Sequence, residues 1–197
     1  MILKDKNILL AVTGSIAIYK SLELIRLFIK AGANVKVILS DGAKKFINPI
    51  TFEAISQNRV LDESSESWDK SQNYNHIDIT KWADILLIAP ATANTINKIS
   101  CGIADNLLLQ TVLACKKKII IAPAANTNMI ENPITTKSIN NLKNLGFEVL
   151  QTQTKELACK DVGNGAMLEP IDIFHKTCKE LLKTSYWENR RVVLSGG

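Results

Sequence analysis

The stretch Ile8-Leu9-Leu10-Ala11-Val12-Thr13-Gly14-Ser15 sets the pattern that the rest of the chain repeats. Its five consecutive apolar residues, without polar alternation, are typical of a strand buried on both faces of a parallel sheet. The turn Thr13-Gly14-Ser15 follows, and apolar positions then recur with helical spacing over Ala17–Lys30 until Gly32. This stretch therefore predicts a buried strand, a tight turn and a helix.

The same alternation recurs to the end of the chain. Further strands are predicted at Val35–Leu39, Asp84–Ala89, Lys118–Ala122 and Phe147–Leu150, with Pro90 and Pro123 ending the two central ones. Helices are predicted over 96–101, 105–115, 133–145 and 170–184. Because strand–helix alternation implies right-handed crossovers, the predicted fold class is α/β, a doubly wound parallel sheet of the Rossmann-like or flavodoxin-like kind in a single domain.

Two segments interrupt this alternation. Residues 57–75 are polar and are predicted to form a long loop, and residues 151–169 are predicted to be irregular. Loops of such length within a compact domain usually have a function, such as a binding flap, and Gly163 and Gly165 are expected to let this one close. Residues 191–197 (RVVLSGG) look like a new strand. We therefore expect a domain over 1–185, followed over 186–197 by a linker and the first strand of a second domain.

Composition narrows the class of protein. The 197 residues are 46% hydrophobic and 22% charged, which suits one well-packed domain rather than a disordered chain. The net charge of +5 is spread along the sequence, so nucleic acid is not an expected partner. The sequence has neither an apolar run long enough for a membrane helix nor a signal-peptide pattern. Four separated cysteines and two histidines favour no metal site and a reducing, cytoplasmic location.

Four loops follow the predicted strands at the carboxyl edge of the sheet, where ligands of such folds bind. They are Thr13–Ala17, Ser40–Lys44, Pro90–Thr95 and Pro123–Met129. The first precedes a helix amino terminus and could bind an anion through backbone N–H groups and Ser15, or could be only a tight turn. It lacks the G-x-G-x-x-G and G-x-S-x-G patterns, which argues against a standard dinucleotide site and an elbow serine hydrolase.

The third and fourth loops carry small residues with Asn and Thr. Such side chains suit a flat polar heterocycle, but they are also preferred at helix N-caps, and both interpretations stay open. His76, which precedes a predicted strand end, is either structural or catalytic. Cys159 lies in the glycine-bearing segment, where a thiol could meet a ligand, whereas the other cysteines are expected to pack in the core. His175 is given no role.

Six ordered motifs resemble those of the homo-oligomeric flavin-containing cysteine decarboxylases: GSIAIYK, NHIDITKWAD, APATANT, GIADNLL, APAANTNM and LACKDVGNGAM. The resemblance covers residues 5–184 and is greatest to members that convert phosphopantothenoylcysteine to 4′-phosphopantetheine for coenzyme A. It implies an FMN cofactor, a homotrimer or homododecamer with FMN at a subunit interface, and a small-molecule substrate. RVVLSGG resembles the first strand of the phosphopantothenate–cysteine ligase that is fused to such domains in many bacteria.

The resemblance also implies roles for single residues. Those that would hold the flavin phosphate are Gly14, Ser15 and Ile16, with help from Ser40. Those that would contact the ribityl chain and ring of FMN are Thr92, Ala93, Asn94, Thr95 and Ala124.

The remaining matched residues are implied to bind the substrate or to take part in the reaction. His76 matches the active-site histidine, Asn126 the residue that binds the substrate carboxylate, and Cys159 the proton donor. Ala158 and Met167 match residues beside the substrate. Related enzymes oxidise the substrate thiol, release CO2 and reduce the resulting ene-thiolate.

One departure from the family pattern concerns the carboxylate pocket. A methionine and an aromatic residue usually stand where this chain has Ala125 and Ile130, so the shape of that pocket is in question. A flavin prenyltransferase of similar fold would not need the ACKDVGNGAM segment. Retention of His76, Asn126 and Cys159 together argues against a non-catalytic regulatory relative, and the basic charge argues against a flavodoxin-like electron carrier.

Overall fold

The fold was analysed in a computed structural model that describes residues 1–67, 75–156 and 162–183. Its strands are β1 (Asn7–Val12), β2 (Asn34–Leu39), β3 (Ile85–Ala91), β4 (Lys118–Pro123), β5 (Glu148–Val149), β6 (Gln153–Glu156) and β7 (Val162–Ala166). Its helices are α1 (Tyr19–Lys30), α2 (Asp41–Lys44), α3 (Pro49–Ser56), α4 (His76–Trp82), α5 (Ala93–Ser100), α6 (Leu107–Ala114), α7 (Thr127–Glu131), α8 (Pro133–Asn144) and α9 (Pro170–Leu181). A 3-10 turn at Ile16–Ile18 leads into α1.

Five strands form a parallel sheet in the order β2-β1-β3-β4-β5. Ile8 of β1 pairs with Val35 of β2 on one side and with Ile85 of β3 on the other. This order is the flavodoxin-like one, so the predicted doubly wound α/β fold is confirmed. The chain changes direction across the sheet between β1 and β3, and the carboxyl ends of these two strands form the topological switch point.

Helices cover both faces of the sheet. Leu10 and Val12 of β1 belong to a core shared with α1, α3 and α9, whereas Leu9 and Ala11 belong to a core shared with α4, α5, α6 and α8. This double coverage explains why β1, β3 and β4 are apolar at nearly every position. No helix in the described parts of the chain is long and apolar enough to cross a membrane.

The predicted strands and long helices are present, but the start of α5 and the end of β3 differ from the prediction. The α5 helix begins at Ala93, three residues before the predicted start. The β3 strand does not end at Pro90 but runs through a cis Ala89–Pro90 bond to Ala91, so that prediction was wrong. Proline removes a donor but keeps its carbonyl, and the oxygen of Pro90 still accepts a bond from the end of β1. Gly32 ends α1 as predicted, with φ +98°.

The two segments predicted as loops contain structure. In 151–169, β6 and β7 form an antiparallel hairpin, so the irregular assignment was wrong. In 57–75, Leu61 bridges to Ile38, the carboxylate of Glu63 accepts a bond from Leu107, and residues 68–74 lie outside the described residues. The short helices α2, α3, α4 and α7 were also missed, because helices of four to eight residues carry little periodicity. The predicted second-domain segment 186–197 lies outside the described residues as well.

Candidate functional site

The buried hydroxyl of Thr13 joins the ends of β1 and β3. Its Oγ1 atom donates to the carbonyl of Pro90 at 2.8 Å and accepts the N–H of Thr92 at 3.0 Å, and Thr13 is 2% exposed. These bonds place the Thr92 loop beside the Gly14–Ser15 loop. The sequence placed Thr13 in a loop but gave it no role, although a threonine that ends an apolar strand at the switch point was a usable signal.

Gly14 permits a close approach between the loops after β1 and β2. A Cβ atom on Gly14 would lie 2.7 Å from the carbonyl carbon of Gly42, closer than atoms can pack. The loop that Ser40 begins therefore contacts the loop that carries Ser15. Two of the regions predicted to hold a phosphate are thus adjacent, and Gly42 is a partner that sequence reasoning missed.

Three predicted ligand-binding side chains are helix or turn N-caps. Ser15 accepts the N–H of Ala17, Ser40 that of Ala43 and Thr92 that of Thr95, at 3.2–3.3 Å. The capping interpretation is therefore confirmed for Thr92, whereas the caps formed by Ser15 and Ser40 were not predicted. It does not compete with ligand binding, because a hydroxyl that accepts a bond can still donate its own proton. Contact of these residues with a ligand stays a prediction.

Lys44 of α2 is a cation close to this region, and its charge is balanced. Its Nζ atom lies 2.7 Å from a carboxylate oxygen of Asp41 and 2.9 Å from one of Asp62. The hydrogen bond with Asp41, followed by that with Asp62, raises the pKa of Lys44. Burial alone would raise the pKa of Asp62, but hydrogen bonds from Ser64 and Lys44 lower it overall. The adjoining donors at Ser15 and Ser40 are neutral hydroxyls.

His76 is the first residue of α4, so its predicted position ahead of a strand end was wrong. Asn75 starts this helix, because its Oδ1 accepts the N–H groups of Ile77 at 3.0 Å and Asp78 at 2.9 Å. The Nδ1 atom of His76 lies 2.7 Å from a carboxylate oxygen of Glu66, and each side chain is 20% exposed. A carboxylate at this distance holds the ring in one orientation and accepts a proton carried on Nδ1. Sequence reasoning missed Glu66, which lies in a polar segment without periodicity.

Asn126 is the N-cap of α7. Its Oδ1 atom accepts the N–H of Asn128 at 2.9 Å, which fixes the amide so that its other end, Nδ2, is a donor. The preceding residue, Ala125, donates its N–H to the carbonyl of Gly165 at 3.1 Å. Ile130, at the position where the family has an aromatic residue, is buried.

The β6–β7 hairpin packs directly on this loop. A Cβ atom on Gly165 would overlap the carbonyl oxygen of Ala125, and one on Gly163 would overlap Oγ1 of Thr127. Neither glycine has a left-handed φ, so both are needed for close approach rather than for an unusual backbone angle. Gly163 and Gly165 thus seat β7 against residues 125–127. That they let this segment close over a ligand stays a prediction.

The predicted site residues fall into three groups in the structure. One is at the switch point, one is Asn126 with the hairpin, and one is His76 with Glu66. Several of the predicted contact residues are buried: Ala93, Thr95, Ala124 and Met167. The Met167 side chain, 1% exposed, packs in the core with α1 and α9. Ile16 and Asn94 are exposed, and Ala158 and Cys159 lie outside the described residues.

The other three cysteines differ in how deeply they are buried. Cys178 of α9 is buried, as predicted, but Cys101 is exposed just after α5, so its assignment to the core was wrong. Cys115 is half-buried after α6. Burial raises the pKa of the Cys115 and Cys178 thiols, which disfavours their reactive thiolates.

Sequence comparison gives the class of protein. The profile of the Flavoprotein family matches residues 2–182, and the chain belongs to that family. It is 42% identical over 178 residues to a probable phosphopantothenoylcysteine decarboxylase of Streptococcus mutans, which covers 89% of this chain and 99% of the relative. It is 38% identical over 197 residues to the coenzyme A biosynthesis bifunctional protein CoaBC of Bacillus subtilis. That match covers 99% of this chain and 48% of the relative, so the chain spans about half the length of the bifunctional proteins it matches.

Solved structures agree with this class. A mutant PPC decarboxylase in complex with pantothenoylaminoethenethiol superposes with a TM-score of 0.79 at 31% identity, covering 94% of this chain and all of the other. The FMN binding protein AtHal3 superposes with a TM-score of 0.79 at 33% identity, covering 96% of this chain and all of the other.

The packing of β7 predicts a specific pattern of stability changes. Gly165→Ala should lower the free energy of unfolding by about 2 kcal/mol, because the new methyl group overlaps a backbone oxygen that no side-chain change can move. Gly163→Ala should cost a similar amount, but less in a Thr127→Ala background, which removes the overlapping hydroxyl. Urea unfolding of the wild type, the three single variants and the Gly163→Ala/Thr127→Ala double variant measures these differences. An equal cost of Gly163→Ala in both backgrounds would contradict the proposed contact.

Proposed function

We propose that this chain binds FMN at the carboxyl edge of its sheet and decarboxylates N-(4′-phosphopantothenoyl)-cysteine to 4′-phosphopantetheine, a step of coenzyme A synthesis. The observation that carries the proposal is the fixed amide of Asn126 beneath the β7 strand, on a loop that follows β4 at the same sheet edge as the switch point. Membership in the Flavoprotein family and similarity to decarboxylases of this substrate support it.

The donors at the switch point fit FMN. In sheets of this strand order, FMN binds where β1 and β3 end. The predicted phosphate loop precedes the 3-10 turn and α1, whose first N–H groups have no partner within the helix, and Ser15 and Ser40 add hydroxyl donors. The hydroxyl oxygens of Thr92 and Thr95 lie 3.0 Å apart and share one hydrogen bond. One of the two hydroxyls donates its proton to that bond, and the other can donate to a ribityl hydroxyl of FMN. Gly14, Ile16, Ala93, Asn94 and Ala124 complete the proposed cofactor set.

FMN, when bound, supplies the two-electron oxidation of the substrate thiol and returns those electrons at the end. Oxidation matters because an ordinary carboxylate leaves behind an electron pair that has nowhere to delocalise, whereas a carbon–sulfur double bond can accept it. The protein residues then have three tasks: to hold the carboxylate, to move protons and to exclude water.

Asn126 holds the carboxylate through Nδ2 while Oδ1 stays bonded to α7. A neutral amide suits the task better than a lysine. A cation would stabilise the charged carboxylate more than the neutral CO2 that it becomes, and this would raise the barrier. The β7 strand packs against the backbone of this loop, and we propose that it limits access of water to the carboxylate.

His76 assists removal of the thiol proton. The Glu66 carboxylate beside Nδ1 orients the ring, and Nε2 is proposed as the atom that takes the proton. Cys159 returns a proton to the product carbon, since a thiol is mostly protonated at neutral pH. Ala158 is proposed to line the substrate beside it, whereas the buried side chain of Met167, also predicted to do so, packs in the core.

The larger assembly is also part of the proposal. The bifunctional relatives support fusion to a phosphopantothenate–cysteine ligase. A homotrimer or homododecamer with FMN at a subunit interface is supported by exposed apolar side chains next to the phosphate loop, Ile16 and Tyr19. The expected cytoplasmic location and the expected absence of nucleic-acid and membrane partners stay predictions.

One experiment tests the function directly. The purified protein should show the visible absorption of a bound flavin, or acquire it on titration with FMN. Added phosphopantothenoylcysteine should then yield CO2 and 4′-phosphopantetheine, measured by CO2 release and mass spectrometry. A folded protein that fails to bind FMN, or that binds FMN without releasing CO2 from this substrate, would refute the proposal.

Asn126→Asp should reduce kcat/KM by about a hundredfold or more, because two like charges then face each other across the carboxylate site. Aspartate caps helices as well as asparagine does, so the fold should be retained. Asn132→Asp, the same change at the N-cap of α8, is the matched control and should leave turnover unchanged. Equal activity of Asn126→Asp and wild type would remove Asn126 from the carboxylate site.

His76→Asn should keep the flavin colour and lose about a hundredfold or more in kcat, because general-base assistance is lost while the cofactor donors remain. His175→Asn, on the exposed side of α9, is the control and should behave like wild type. Steady-state kinetics with the absorption spectrum of each variant measure both effects. Full activity of His76→Asn would show that this histidine takes no part in the reaction.

A further inference from the structure

Lys20 is a buried cation with two fixed partners. The residue is 8% exposed and lies in the first turn of α1. Its Nζ atom donates to the carbonyl oxygen of Met167 at 3.0 Å and to a carboxylate oxygen of Glu169 at 3.1 Å. Because a buried ammonium group is costly unless it is paired, these bonds strongly favour one position of the chain that follows β7.

The β6–β7 hairpin depends on contacts of this kind. Its two strands pair with each other in a sheet separate from the main one. On one side the hairpin is attached to the Asn126 loop by the bond from Ala125 to Gly165 and by the close packing of Gly163 and Gly165. On the other side Lys20 holds the chain just beyond β7, at Met167 and Glu169.

The side chain of Glu169 bonds to a different helix from the one that the residue begins. This residue is the N-cap of α9, yet its side chain makes no capping bond to that helix. Its carboxylate bonds to Lys20 of α1 instead. The contact thus links α1, which begins next to the proposed phosphate loop, to the strand that packs on Asn126.

We propose that Lys20 is a positioning residue that keeps β7 seated on residues 125–127 through Met167 and Glu169. Its consequence for catalysis rests on the proposed function. The chain between β6 and β7 carries the proposed proton donor, Cys159, so loosening the hairpin slows the final protonation and reduction more than the release of CO2. The oxidised enethiol, formed from the substrate by loss of CO2, two protons and two electrons that pass to bound FMN, would then leave before it is reduced, and dissolved oxygen would reoxidise the flavin for the next turnover.

Hydrogen exchange tests the positioning role without substrate. In Lys20→Met, the amides of Ala125 and of residues 163–166 should exchange about tenfold faster than in wild type, because local opening of the hairpin becomes easier. The amides of β1 should keep their protection, which separates this effect from loss of global stability. Lys30→Met, at the exposed end of the same helix, is the matched control and should exchange like wild type.

Product analysis of the FMN-loaded enzyme tests the catalytic consequence. With phosphopantothenoylcysteine, Lys20→Met should raise the ratio of oxidised enethiol to 4′-phosphopantetheine about tenfold, while CO2 release changes less. Glu169→Gln should shift exchange and products in the same direction by a smaller factor, since the carbonyl of Met167 still accepts the ammonium group. Lys30→Met should give the wild-type product ratio.

Unchanged exchange at Ala125 and residues 163–166 in Lys20→Met would overturn the proposal. If Lys20→Met does not fold, Glu169→Gln decides, and wild-type exchange in that variant would overturn the proposal equally. A wild-type protein that releases no CO2 would refute the proposed function, whereas the exchange result would still settle the role of Lys20.

Discussion

The ends of β1 and β3 lie side by side because the chain reverses its direction across the sheet there, and the hydroxyl of Thr13 fixes their separation. Every loop of the proposed cofactor site is placed relative to this pair. The Thr92 loop is bonded to Thr13 itself, and the Ser40 loop reaches the same place because Gly14 and Gly42 have no side chains between them. One buried hydroxyl and one close glycine contact thus define where a ligand can lie.

A second constraint concerns the hairpin. Among the described residues it shares no strand pairing with the main sheet, so its position depends on side chains and on close backbone packing. Gly163 and Gly165 let β7 approach residues 125–127, and Lys20 holds the following segment from α1. Because the proposed carboxylate site lies next to this hairpin, we expect it to be sensitive to substitutions outside the site.

The distribution of charged side chains around the proposed binding sites is consistent with the proposed decarboxylation. The residues proposed to bind phosphate and carboxylate are hydroxyls, amides and backbone N–H groups, whereas nearby cations are paired: Lys44 with Asp41 and Asp62, and Lys20 with Glu169. Neutral donors bind an anion without holding its charge too strongly in the ground state, which a decarboxylation requires. Glu66 is a charged residue of a different kind, because its carboxylate lies 2.7 Å from Nδ1 of His76 and orients the ring.

The sequence by itself determined the fold class, the central strands and the four loops at their carboxyl ends, because a strand covered on both faces must be apolar throughout and therefore leaves a clear signal. It also indicated Asn126 and Thr92, both as helix caps and as candidate ligands. Only the tertiary structure decided that His76 begins a helix and meets Glu66, that β6 and β7 pair, and that Lys20 reaches Glu169. These contacts join residues 6 to 149 positions apart, through short elements or single side chains, and local periodicity carries no information about which residues pair in this way.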